Sequence, residues 1–202
     1  MIKARFDTEG LSIRLGMVFS RFGIAANVWT ILALVPAVLG FIALYDKNLL
    51  LGLLLFIISG LIDAIDGAVA RVTKSVSSLG AFLDGVIDRY VEMALYFGLM
   101  FYLWGLRLVL PSQVWIVLLV YGALMPTFIR AYADHRGVVT DPEKHKRMGG
   151  LIERFERLTL LYLGMALGLF SAQLLLSVVA ATAVLSNYTA LQRLSYVIRE
   201  AA

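Results

Sequence analysis

The 202-residue sequence has no cysteine, two histidines, four prolines and only 16% charged residues. Without cysteine there is no disulfide framework, no thiolate nucleophile and no Cys-ligated metal, so a bound metal must use oxygen or imidazole ligands. The shortage of charge excludes an ordinary soluble exterior, because soluble domains carry about 25% charged residues. A cleavable leader is also missing from the first residues. Lys3, Arg5, Asp7 and Glu9 interrupt them, and no apolar stretch with a small-residue cleavage site precedes Asn27, so the N-terminus is expected to stay in the mature chain.

What is abundant is apolar. Hydrophobic residues make up 60% of the chain, above the roughly 45–50% of soluble proteins, and the mean hydropathy is +0.85. A helix needs about 20 residues to cross the hydrocarbon of a bilayer. Six segments approach that length, at 26–45, 49–72, 79–104, 112–136, 151–170 and 173–197. The expected fold is therefore an all-α integral membrane protein with six transmembrane helices. It forms one domain over 1–202, with residues 1–25 as an interfacial segment and 26–197 as the six-helix bundle. Gly10 to Ile24 sets Leu11, Ile13, Leu15, Val18, Phe19 and Phe22 among Arg14 and Arg21, a pattern that suits a basic amphipathic helix lying on an anionic membrane surface.

Basic residues orient the bundle. With the N-terminus inside, the outer loops hold only Lys47 and Arg107, and the other 16 of the 18 Lys and Arg fall on or near the inner face. The positive-inside rule then puts the chain in the cell membrane with the inner ends of helices two to six facing the cytoplasm.

Those inner ends carry the chemistry. Helix two closes on Ile62-Asp63-Ala64-Ile65-Asp66-Gly67-Ala68-Val69-Ala70-Arg71, and helix three opens on Gly80-Ala81-Phe82-Leu83-Asp84-Gly85-Val86-Ile87-Asp88-Arg89. Asp63 and Asp66 are i,i+3 and Asp84 and Asp88 are i,i+4, so each pair shares a face of its helix. The short connection makes the helices antiparallel neighbours. A carboxylate at membrane depth costs roughly 2.5–3.5 kcal/mol on insertion scales, and four together repel one another, so a cation is needed between them. All-oxygen ligands favour Mg²⁺, Mn²⁺ or Ca²⁺. Gly67, Ala70, Gly80 and Gly85 leave backbone open to a close-approaching nucleotide or diphosphate, and Arg71 could clamp a phosphate.

The spacing Asp63-x2-Asp66-Gly67-x2-Ala70-Arg71-x8-Gly80-x3-Asp84-x3-Asp88 resembles the signature of the CDP-alcohol phosphotransferase family at all eight fixed positions over 26 residues. The resemblance implies a CDP-linked lipid donor, attack by an acceptor hydroxyl on the β-phosphorus, and release of CMP. It implies that Asp63, Asp66 and Asp84 ligate Mg²⁺ or Mn²⁺, as two ions, and that Asp88 ligates or acts as the base. It also implies that Asp66, Gly67, Ala70, Arg71 and Gly80 contact the nucleotide. Family members often open helix one with Pro-Asn-x-x-Thr or Pro-Asn-x-x-Ser near the nucleotide. Here Ala26-Asn27-Val28-Trp29-Thr30 keeps the Asn and Thr without the proline, so Asn27 and Thr30 have either a nucleotide role or a helix-capping one.

The acceptor is written elsewhere. Thr127 and Arg130 lie in helix four, Glu153-Arg154 and Glu156-Arg157 open helix five, and Arg193 is near the inner end of helix six. Membrane-edge snorkelling accounts for Arg136, Lys144, Lys146, Arg147 and Arg199, whereas Arg130 and Arg193 sit within apolar helices and call for an anion. The region resembles the family branch that makes phosphatidylinositol phosphate or archaetidylinositol phosphate, in which a Ser and a Lys on helix four and an Arg on helix six hold the acceptor's phosphate. Thr127, Arg130 and Arg193 stand at those positions, and Tyr132 stands where the branch usually has Arg. The expected acceptor is a phosphorylated polyol, inositol 1-phosphate first. Glycerol 3-phosphate, as in phosphatidylglycerophosphate synthases, and a soluble CDP-inositol donor are the enzymatic alternatives, and an ion or phosphate transporter is the alternative of another class. The resemblance further implies a homodimer in the bilayer, with no nucleic-acid partner.

Overall fold

The computed structural model describes residues 8–201 and is helical throughout, with no strand among those residues beyond a single bridge between Arg107 and Pro111. Lys3, Arg5 and Asp7 of the expected interfacial segment lie outside the described residues. The chain separates into two compact units, 1–98 and 99–202.

The first unit contains α1 (Thr8–Ser20), α2 (Ala26–Leu32), α3 (Leu34–Tyr45), α4 (Leu49–Val72) and most of α5 (Ser78–Tyr102). The first expected span is one 20-residue apolar stretch, Ala26–Tyr45, that breaks at Ala33. Pro36 explains the break, since it has no N–H for the preceding turn and its ring crowds the carbonyl four residues back. Buried Ser59 of α4 donates to the Ala33 carbonyl at the break, 2.8 Å away. Asn48 then caps α4 by accepting from the Leu51 N–H at 3.1 Å, and α4 runs back antiparallel along α3 and α2. Ala33, Ala37, Leu44, Phe56, Ala68 and Leu95 fill the core between them. Ser77 accepts from the Gly80 N–H at 3.0 Å and so starts α5.

The second unit holds α6 (Ser112–His135), α7 (Pro142–Arg147), α8 (Arg154–Gly168) and α9 (Ala172–Ala201). α6 and α9 run side by side in the same direction. Asn187 Nδ2 donates to the Leu118 carbonyl at 2.8 Å, and Arg193 Nη1 donates to the Pro126 carbonyl at 2.9 Å. α8 lies antiparallel to α9, where the Ile152 N–H donates to Thr189 Oγ1 at 3.1 Å. The short helix α7 arises in a segment read as a polar loop. Asp141 caps it by accepting from the Glu143 N–H at 2.8 Å, and Pro142 occupies its first turn. Lys144 and Lys146, expected only to snorkel, are paired with Glu200 at 2.6 Å and Glu143 at 2.7 Å.

Four stretches among the described residues are long and apolar enough to cross a membrane: Ala26–Tyr45, Leu49–Val72, Ser112–His135 and Ala172–Ala201. Helices also occupy the other two expected positions. α5 has the length, 25 residues, but carries Asp84, Asp88, Arg89 and Glu92. α8 starts three residues later than expected and has 15 residues, about 22 Å at roughly 1.5 Å per residue, against about 30 Å of hydrocarbon. Its late start has a local cause. Glu153 and Glu156 form a reciprocal capping box that places the first turn at Arg154. The outer surface is apolar, with Phe170 86%, Val109 81% and Leu61 60% exposed, as lipid contact requires and water does not favour. The protein is a multi-pass membrane protein.

Candidate active site

Asp63 and Asp66 on α4 and Asp84 on α5 each bring a carboxylate oxygen to within 4.8 Å of the others. The i,i+3 spacing turns the first two toward the same side of α4, and the tight α4–α5 connection returns Asp84 opposite them. Asp66 is the buried member, 7% exposed. Its carboxylate is hydrogen-bonded by the Thr30 hydroxyl from α2 and by the Gly67 N–H. Its Oδ2 is enclosed and has no hydrogen-bond partner. Three clustered carboxylates with one buried oxygen left over fit a hard divalent cation, which accepts oxygen ligands and cancels their repulsion. Asp88 lies one helical turn beyond Asp84, itself buried at 9% exposure, and stands outside the mutually close three.

The residues expected at the nucleotide all belong to the first unit. Thr30 is buried, and its hydroxyl lies 3.3 Å from the Ala26 carbonyl besides meeting Asp66. The start of α2 is Ala25, which makes no side-chain cap bond, so neither Asn27 nor Thr30 serves as the helix cap. Asn27 instead abuts Gly80, where an added Cβ would come 3.2 Å from Asn27 Oδ1. Gly67 lies under the Arg71 guanidinium, whose Nη1 would be 3.4 Å from a Cβ placed there. Ala70 is half-buried on the same helix. Arg71 itself is exposed and donates to Ser12 Oγ of α1. Arg89, next to Asp88, pairs with Glu92, which is 2% exposed.

The expected acceptor residues belong to the second unit. Thr127 and Arg130 are exposed on α6, whereas Arg193 of α9 is 8% exposed and lies 3.5 Å from Glu153. Arg130 and Arg157 are near enough for their charges to act on Arg193. Arg193 is thus paired with a carboxylate and also faces the positive charge of two further guanidinium groups. Arg157, in the charged first turn of α8, is buried at 3% exposure, a burial that its charged neighbours in sequence do not signal. A pocket of about 400 Å³, bounded by Arg147, Leu151, Gln192 and Tyr196, contains none of the expected site residues.

A carboxylate triad with one buried member, on two antiparallel helices of a membrane protein, defines a metal-dependent transferase centre, and the chain belongs to the CDP-alcohol phosphatidyltransferase family, whose pattern matches residues 23–189. It is similar to the archaetidylinositol phosphate synthase of Aeropyrum pernix, 32% identical over 181 residues, covering 90% of this chain and 87% of that one. It is also similar to the phosphatidylinositol phosphate synthase of Mycobacterium marinum, 30% identical over 146 residues and covering 71% of this chain and 59% of that one. The crystal structure of Mycobacterium tuberculosis phosphatidylinositol phosphate synthase with CDP-DAG bound superimposes with a TM-score of 0.79 at 27% identity, covering 92% of each chain. The same enzyme in complex with manganese and citrate also gives 0.79, at 27% identity and 93% and 88% coverage.

Proposed function

We propose that this chain transfers a phosphatidyl-type group, ester- or ether-linked, from a CDP-linked lipid to a phosphorylated polyol, inositol 1-phosphate first, with release of CMP. The observation that carries this reading is the convergence of Asp63, Asp66 and Asp84 within 4.8 Å, with Asp66 Oδ2 buried and otherwise unanswered. Asp63, Asp66 and Asp84 would hold two Mg²⁺ or Mn²⁺ ions, with Asp88 as a further ligand or as the base. When bound, divalent cations neutralise a diphosphate and stabilise the charge on departing CMP.

The chain's own residues account for the rest. Asn27, Thr30, Gly67, Ala70, Arg71 and Gly80 border the nucleotide, and Arg71 supplies a planar cation for a phosphate. The acceptor hydroxyl loses its proton to Asp88 as its oxygen forms a bond to the β-phosphorus. The bond from that phosphorus to the oxygen of CMP breaks, and CMP leaves with the electron pair. Thr127, Arg130 and Arg193 bind the acceptor's own phosphate, a role supported by the positive charge that Arg130 and Arg157 bring near Arg193. The names of the Aeropyrum and Mycobacterium relatives favour inositol phosphate over glycerol 3-phosphate or a CDP-inositol donor. The proposed setting is a six-span homodimer in the cell membrane with its site toward the cytoplasm, which agrees with the placement of basic residues, and α1 rests at the interface.

CMP release from CDP-diacylglycerol and CDP-archaeol, measured with Mg²⁺, with Mn²⁺ and with a chelator, tests the reading against a panel of inositol 1-phosphate, glycerol 3-phosphate and free inositol. Release only with inositol 1-phosphate and only with metal is expected. No release with any acceptor would sink the proposal.

A further inference from the structure

Helix α1 packs along α4 more closely than a surface anchor requires. A Cβ on Gly16 would lie 2.4 Å from the Ala68 carbonyl oxygen and 2.6 Å from Val72 Cγ2, so the two backbones touch only because position 16 is glycine. One turn earlier on the same face of α1, Ser12 Oγ accepts from Arg71 Nη2, 59 residues away in sequence. At the other end of α1, Phe19 packs edge-to-face on Trp29 of α2, with ring centroids 5.4 Å apart. Trp29 directly precedes Thr30, the partner of Asp66. α1 therefore touches two of the three helices that carry the donor site, α2 and α4.

Arg71 needs such a contact. It is exposed in the last turn of α4, and a free arginine there would sample many rotamers. In the structure its guanidinium is folded back over Gly67, next to Asp66. Among the described residues, the protein hydrogen bond that holds it is the one to Ser12, made by Nη2. That bond uses one of the five guanidinium donors, and a phosphate can be met by others.

We infer that Ser12 is a positioning residue that sets Arg71 in place for the diphosphate of a CDP-linked donor, making α1 part of the donor site as well as a membrane anchor. This rests on the nucleotide role proposed for Arg71. Ordering the arginine before binding removes the entropy cost of fixing one long side chain at the moment of binding, which corresponds to about two- to tenfold in affinity.

CDP, the moiety common to ester and ether donors, is the probe, titrated in the presence of Mg²⁺ into full-length protein in detergent. Ser12→Ala is expected to weaken CDP binding about two- to tenfold with an unchanged melting temperature, and Ser12→Thr, which keeps the hydroxyl, to restore it. In an Arg71→Ala background, Ser12→Ala should add nothing, because the group it positions is gone. A Ser12→Ala variant that binds CDP like the wild type while Arg71→Ala binds weakly would overturn the positioning role alone. So would an equal loss from Ser12→Ala in both backgrounds, which marks a general packing effect. An Arg71→Ala variant with unaltered CDP affinity would overturn the nucleotide role of Arg71, and the positioning role with it.

Discussion

The hydroxyl of Thr30 on α2 hydrogen-bonds to the carboxylate of Asp66 on α4, the most buried of the three clustered aspartates. The bond ties the first apolar stretch of the chain to the metal-binding triad. A ligand held by a second residue presents a fixed oxygen to the ion, and loss of such support typically costs about 10–100-fold in metal affinity. Thr30→Val keeps the shape and removes the bond. The concentration of Mn²⁺ giving half-maximal CMP release should rise by about that factor. Thr30→Ser should stay near the wild type, and a Thr30→Val enzyme with unaltered metal dependence would count against this support.

Asp66→Asn preserves volume but removes a charge from the triad. Activity should fall by at least about a hundredfold, because the electrostatic hold on a transferring phosphoryl group is lost. The variant should nevertheless fold, since it relieves carboxylate repulsion as well as a burial cost. Its thermal midpoint without metal should equal or exceed that of the wild type. Divalent cations should raise the wild-type midpoint much more than the variant's.

Arg193 donates to the Pro126 carbonyl and lies beside Glu153. Arg193→Lys retains a charge but loses the planar fork that can bond a carbonyl and a phosphate together. The acceptor KM should rise about tenfold or more, the scale of one lost charge-assisted hydrogen bond. The donor KM should stay unchanged. Initial rates at varied inositol 1-phosphate and fixed CDP-diacylglycerol would show this, and equal changes in both KM values would contradict the assignment.

Lys144 lies on α7, outside the spans, and the Glu200 carboxylate at the end of α9 holds its ammonium above the ordinary lysine value of 10.5, chiefly through their hydrogen bond. A lysine whose folded pKa is raised contributes its stability in full below the unfolded value, and that contribution disappears as pH climbs through the raised one. Lys144→Met should therefore lower the thermal midpoint by a constant small amount from pH 7 to about pH 10. The gap to the wild type should close only at higher pH. A gap that varied between pH 5 and 8 would count against this pairing as its source.

Much of the site was legible in the chain because carboxylates inside apolar helices have few explanations. Asp63, Asp66 and Asp84 meet as their spacing required, and α4 begins and ends at the expected residues. Contacts far apart in sequence were less legible. Thr30 had two readings, nucleotide contact or helix cap, and its bond to Asp66 was neither, because it depends on α2 and α4 crossing at one height. Ser12 carried no signal at all, being a small polar residue whose partner is 59 positions away. Boundaries shifted where local polar bonds outweigh hydropathy. Glu153 and Glu156 were grouped with the arginines as a polar cluster, yet they close a capping box that shortens α8. Asp141-Pro142 is a helix-start signal, but the charged run after it read as loop. Pro36 divides the first span because the lost N–H falls within the helix and not at its end.

The two bonds from α9 to α6 have one more implication. Asn187 and Arg193 both grip main-chain carbonyls, those of Leu118 and Pro126. Every amino acid carries a carbonyl, so on the α6 side the chemistry of the grip does not depend on which side chain is present. On the α9 side it depends on it completely. For these two bonds, sensitivity to mutation falls on one partner. A changed side chain at 118 or 126 leaves the accepting carbonyl in place, whereas a change at 187 or 193 removes the donor.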